Sequence, residues 1–136
     1  MQGFAVLADI VVVVHLCYVC FALGGQIAIL LGAFARWRWI RNPWFRLAHL
    51  ASVSFVAVQP IVGAVCPLTE WEYWLRKSAG QGVGEIPFIA RLARSIIFYD
   101  LPGWVFTTAY MLFALIVVVT FILIPPLPLK KKRFSA

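Results

Sequence analysis

Acidic residues are scarce in this chain: five Asp and Glu in 136 positions, against twelve Lys and Arg. All charged residues together make up only 12%. Soluble domains carry ~25% charged and ~45–50% apolar residues. Here 63% is hydrophobic and the mean hydropathy is +0.93, which excludes an ordinary water-soluble fold. Chemical signatures are missing too. There is no nucleophile elbow, P-loop, HExxH or fitting CxxC pair, and no internal repeat. The three cysteines give no disulfide framework. Cys17 and Cys20 lie one helical turn apart in an apolar run, where free thiols act as small apolar groups. Cys66 lies at a different depth from both.

What is present is three long apolar runs. Phe4–Phe34 is interrupted only by Asp9, His15 and Gln26. Leu47–Cys66 carries His49, two serines and Gln59, and Leu101–Leu129 is apolar with prolines near its end. Runs of ~20 apolar residues cross a bilayer. The first run, if helical, spans roughly 46 Å against a hydrocarbon core of ~30 Å, so it tilts or projects. No positive residue precedes it and no small-residue cleavage site ends it, so it reads as a retained span.

The charges sort by side. Arg36, Arg38, Arg41 and Arg46 follow the first run, and Lys130, Lys131, Lys132 and Arg133 follow the third. These eight bases have no acid among them, whereas Arg76, Lys77, Arg91 and Arg94 share their side with all five acids. The positive-inside rule puts the eight bases in the cytoplasm. The expected fold is an all-α integral membrane protein with transmembrane helices at about 5–34, 46–66 and 102–125, N-out and C-in. A periplasmic helical loop covers 67–101 and a basic cytoplasmic tail 126–136, all in one domain. Trp37, Trp39 and Trp44 mark one interface, and Trp71, Tyr73, Trp74, Tyr99 and Trp104 the other. The net charge of +7 points to anionic lipid headgroups rather than nucleic acid, because the Lys run directly follows a span.

In the outer loop, Thr69 stands at an N-cap position with Glu72 three residues on, a capping-box pattern. Glu72 precedes Arg76 by four, the favourable order for an ion pair, so the spacing predicts a helix over about 70–78. Gly80, Gly82 and Gly84 end it. Ile86–Tyr99 shows one apolar face and reads as an amphipathic cap. Pro60 predicts a kink in the second span.

Ionisable groups in a membrane are functional candidates by default. Counting ~20 residues per span puts His15 near the outer boundary and His49 near the inner one, ~20–25 Å apart by the helical rise. That separation opposes a bis-histidine haem within one chain; ligation shared with another subunit stays open. His15 falls level with Cys66 and Thr69. Asp9, His15, Cys66, Thr69, Glu70, Glu72 and Arg76 therefore form the first candidate cluster, able to pin loop to bundle, move protons or hold a metal. His49 is the second candidate.

The chain resembles the small bacterial membrane proteins grouped as domain of unknown function 2784. The likeness rests on Leu7-Ala8-Asp9, His15-Leu16, Gly24-Gly25, Leu47-Ala48-His49-Leu50 and, most specifically, Cys66-Pro67-Leu68-Thr69 with Glu72, Leu75 and Arg76. It covers about residues 5–125; Ile86–Tyr99 and Pro125-Pro126-Leu127-Pro128 depart from it. The resemblance implies a multi-span inner-membrane protein and supplies no activity.

Small size, glycine-lined helix faces and the lack of a complete catalytic set point first to an accessory or structural subunit of a larger membrane complex. Its partners are then the bilayer and either other membrane subunits or further copies of itself. The alternative is a membrane protein that binds a cofactor or small molecule (haem, metal or quinone-like) through His15 or His49 and the outer cluster. A membrane enzyme using His15 and Glu72 as acid and base needs an open cleft. For the orientation, a tag after Ala136 should be protected from externally added reagent in intact cells; a tag reachable only from outside refutes N-out/C-in.

Overall fold

The computed structural model describes residues 1–82, 92, 94–96 and 101–128. The Lys130–Arg133 run and most of the helix expected over Ile86–Tyr99 lie outside them; Leu92 and Arg94–Ile96 are helical. The described residues hold four long helices and no strand: α1 (Gln2–Phe34), α2 (Pro43–Ile61), α3 (Pro67–Ser78) and α4 (Gly103–Leu123). A short 3-10 turn, Trp39–Arg41, joins α1 to α2. α1 and α4 are long and apolar enough to cross a membrane. α2 has 19 residues, fewer than expected, and does not match them in length and hydropathy.

The boundaries follow local chemistry. α2 starts earlier than the apolar pattern suggests because the Asn42 side chain accepts from the Trp44 amide (3.0 Å) and Pro43 takes the first helical position. It also ends earlier. Pro60 is its penultimate residue, and Gly63 adopts a left-handed φ of 69° while the Ala64 amide returns to the Gln59 carbonyl (2.9 Å). The expected kink is thus a helix end. The same closure, a Schellman motif, finishes α3, with Gly80 at φ 73° and Gln81 donating to the Arg76 carbonyl. It also finishes α1, where Arg36 takes φ 56° and Trp37 donates to the Gly32 carbonyl. α3 begins three residues earlier than predicted. Cys66 is its N-cap and Pro67 its first residue, with no side-chain cap, so Thr69 and Glu72 do not form a capping box.

α1 packs most extensively on α3, and α2 on α4. The two pairs meet along a seam of small and polar residues. A Cβ on Gly25 would lie 2.6 Å from the His49 ring, whose Nε2 donates to the Ala22 carbonyl (2.8 Å). The ring is stacked near Phe45 and edge-on to Phe21. Tyr18 donates to the Ser52 carbonyl (2.6 Å), and Gln26 Nε2 to Thr120 Oγ1 (3.2 Å). Arg46, only 2% exposed, donates from Nη2 to the Thr120 and Ile124 carbonyls, both at 2.8 Å. It thereby meets the Ile124 carbonyl just past α4 and adds a second bond to the Thr120 carbonyl, which already accepts from the Ile124 amide; a cation is also favoured there by the helix dipole. Arg41 adds bonds to the Pro125 carbonyl and from the Leu127 amide.

His49 is held by a hydrogen bond and two rings, so it cannot yield to an added methyl. Gly25→Ala should destabilise the protein by about 1–3 kcal/mol through overpacking. Gly24 faces open space, with no packing neighbour among the described residues within 4 Å of where a methyl would stand, and should tolerate Ala without loss. Thermal unfolding in detergent checks both; equal midpoints for the two variants would contradict the packing described.

Candidate functional site

α3 runs antiparallel to the first half of α1, which sets its polar residues against that helix. Arg76 is the centre of the contact. Its Nε donates to Glu72 Oε1 (2.9 Å), its Nη2 to Asp9 Oδ1 (3.0 Å) and its Nη1 to Gln81 Oε1 (3.1 Å). The predicted Glu72–Arg76 pair is therefore present, extended to Asp9 on α1. The two carboxylates differ sharply in setting: the Glu72 side chain is 3% exposed and that of Asp9 68%. Hydrogen bonding, from Glu72 above all and then Asp9, holds the Arg76 pKa above its ordinary value. A raised arginine pKa contributes stability that is fully present below the ordinary arginine value, so Arg76 stays charged under physiological conditions.

Behind this pair lies His15, itself buried, with the Glu72 charge acting on its imidazole. Asp9, Arg76, Glu72 and His15 thus form a chain of ionisable groups leading inward from the exposed surface. Its inner end is the wall of a chamber of about 550 Å³ between α1, α2, α4 and the start of α3. The chamber is lined by apolar side chains including Val53, Val56, Phe106 and Phe113. Its polar lining comes from His15, Tyr18, Gln59, Cys66, Thr69, Thr107 and Tyr110. A buried imidazole backed by a carboxylate at such a wall can pass a proton to or from a molecule inside.

The sequence-predicted residues are distributed unevenly over this arrangement. Asp9, His15, Glu72 and Arg76 share the ionic chain, while His15, Cys66 and Thr69 share the chamber wall. Glu70 belongs to neither: it is exposed in the first turn of α3, where an acid suits the helix N-terminus. Among the described residues no three of His, Cys, Asp and Glu come together as metal donors. His49 lies level with Ala22, seven residues beyond His15 on α1, about 10 Å by helical rise rather than 20–25 Å. The 3-10 turn folds α2 back so that Ile40 already packs on Gly32, which draws His49 deeper along α1. With 1% exposure and Nε2 engaged, His49 is a packing residue and does not present itself to a neighbouring subunit.

Sequence reasoning missed Gln59, Tyr18 and Tyr110 as wall residues, and Arg46 as an internal clamp rather than a loop charge. Gln59 offered a signal, a polar residue next to Pro60 in an apolar run. Arg46 offered one too, four residues after a strong N-cap and thus inside a helix.

The family described as Protein of Unknown function (DUF2784) matches residues 5–126, and the chain belongs to it. No curated protein and no solved structure matches the chain.

Removing one partner of a buried ion pair leaves the other uncompensated and costs ~3–5 kcal/mol, whereas exposed pairs contribute ~0–1. Arg76→Gln should therefore release α3, Asp9→Asn should cost little, and the double variant Glu72→Gln/Arg76→Gln should recover part of the loss. Hydrogen exchange over residues 67–78 reads all three. Equal deprotection in Asp9→Asn and Arg76→Gln would overturn this ranking.

Proposed function

We propose that this chain is a multi-pass protein of the bacterial inner membrane that holds a small lipophilic molecule in the chamber between its helix pairs. The single observation behind this reading is the chamber itself. About 550 Å³ of mostly apolar space with a few polar groups is the format of small-molecule sites, which run ~300–1,000 Å³.

The membrane assignment draws support from several observations. α1 and α4 turn Ile10, Val13, Ile27 and Leu31, and Leu112, Leu115 and Ile122, outward. Exposed apolar area on that scale suits lipid. Trp44 at one end and Trp71, Trp74 and Trp104 at the other are exposed as interface anchors would be. α2 serves as the third span: 19 residues cover about 28 Å, and its one full charge, Arg46, is matched inside the protein by α4 carbonyls. The arginine-rich turn then faces the cytoplasm, and α3 lies on the periplasmic side.

A second reading, a subunit that associates with other membrane helices or with itself, is favoured by Gly24. This glycine leaves open space on the outer face of α1, the kind of surface on which another helix packs closely.

Native mass spectrometry in mild detergent tests both readings. The wild type should bind one molecule of decylbenzene saturably. Ala57→Phe, which fills the chamber from a buried position on α2, should weaken this at least tenfold. Should that variant not fold, Ala22→Leu fills the same space from α1. Undiminished occupancy in a folded chamber-filling variant rejects the chamber as the site. The same spectra report subunit number, and a strict monomer without companions counts against the association reading.

A further inference from the structure

The chamber reading can be carried to a ligand class, and the inference rests on it. We propose that the occupant is an uncharged, lipid-soluble molecule with a planar carbonyl-bearing ring, quinone-like in chemistry, whose carbonyl oxygen accepts from Gln59 Nε2.

Gln59 is the starting point. Its backbone carbonyl closes the C-terminus of α2 by accepting from Ala64, so the residue is fixed at the last helical turn. The residue lines the chamber, and its Nε2 is buried in the wall with no hydrogen-bond partner among the described residues. A buried amide donor left unpaired is costly, and such groups in folded proteins are normally satisfied. An acceptor on a bound molecule would complete it. A cation has no acceptor to offer there, and neither has a plain hydrocarbon.

Charge narrows the class further. The chamber lining contains no Lys, Arg, Asp or Glu among the described residues. An ionised headgroup inside would be desolvated without a counter-charge. An anion fares worst, because the nearest charged network joins one arginine to two carboxylates. Fatty-acid-like ligands are thereby disfavoured. Shape supplies the last element. Phe106, Tyr110 and Phe113 line the α4 wall and offer aromatic surface to a flat conjugated ring.

The test compares three probes on the intact protein by native mass spectrometry: a decyl-substituted benzoquinone, decylbenzene and dodecanoate. The wild type should bind the quinone about 5- to 10-fold more tightly than decylbenzene, the ratio one hydrogen bond supports, and dodecanoate more weakly than either. Gln59→Leu should bring the quinone down to the level of decylbenzene while leaving decylbenzene unchanged, a pattern that general destabilisation would not give. The wild-type comparison stands by itself should the variant not fold. Equal binding of quinone and decylbenzene, tighter binding of dodecanoate, or an unchanged ratio in Gln59→Leu each overturns the ligand class while leaving the chamber reading intact. Failure of every probe to bind the wild type saturably overturns both.

Discussion

A guanidinium taken out of water calls for fixed acceptors, and this chain supplies them at two places with few polar groups, leaving Arg46 Nε the one buried guanidinium donor without a partner among the described residues. At one end Arg46 reaches two carbonyls at the close of α4, with the Phe121 ring 5.2 Å from its charged centre. At the other, Arg76 is held by Glu72, Asp9 and Gln81. Each arginine fastens one helix to another that the apolar pattern alone would leave free to slide. Arg46 shares the fastening of α2 to the end of α4 with Arg41, and Arg76 fastens α3 to α1 beside the buried Glu72.

Between these fastenings the packing resolves into two arms, α1 with α3 and α2 with α4. They are joined where the seam is narrowest, at Gly25 against His49 and at Gln26 against Thr120. Toward the α3 end the arms enclose the chamber instead of closing on each other. The same distribution explains why the buried polar residues are so few and so specific: His15, Gln26, Arg46, His49, Glu72 and Thr120 each sit on a seam or at a wall. In apolar surroundings a polar side chain without such a position would carry an uncompensated desolvation cost.

Much of the architecture was legible in the sequence because hydropathy dominates it. The span of α1, the approximate span of α4 and the Glu72–Arg76 pair follow from run length and i,i+4 spacing. The level of His15 beside Cys66 and Thr69 follows from antiparallel geometry. Helix ends were less legible, since they depend on backbone closures at Arg36, Gly63 and Gly80 that apolar periodicity does not see. Thr69 illustrates the point: Pro67 pre-sets the first turn, so the residue that looked like a cap lies inside the helix, facing the chamber. The depth of His49 was misjudged for a related reason, because the 3-10 turn sets the α1–α2 register and leaves no mark in composition. The chamber itself is a property of how the arms diverge, which no single segment encodes.

The length of α1 has a mechanical consequence. Its tie to α4 is at Gln26, while His15 lies eleven residues and Asp9 seventeen residues away along a continuous helix. By helical rise these positions lie about 16 Å and 25 Å from the tie. The bonds that Ala22 and Tyr18 make with α2 brace the stretch of α1 beside the chamber, so the overhang left to carry α3 through Asp9 and Arg76 is only the part before Tyr18, about 14 Å from Tyr18 to Asp9.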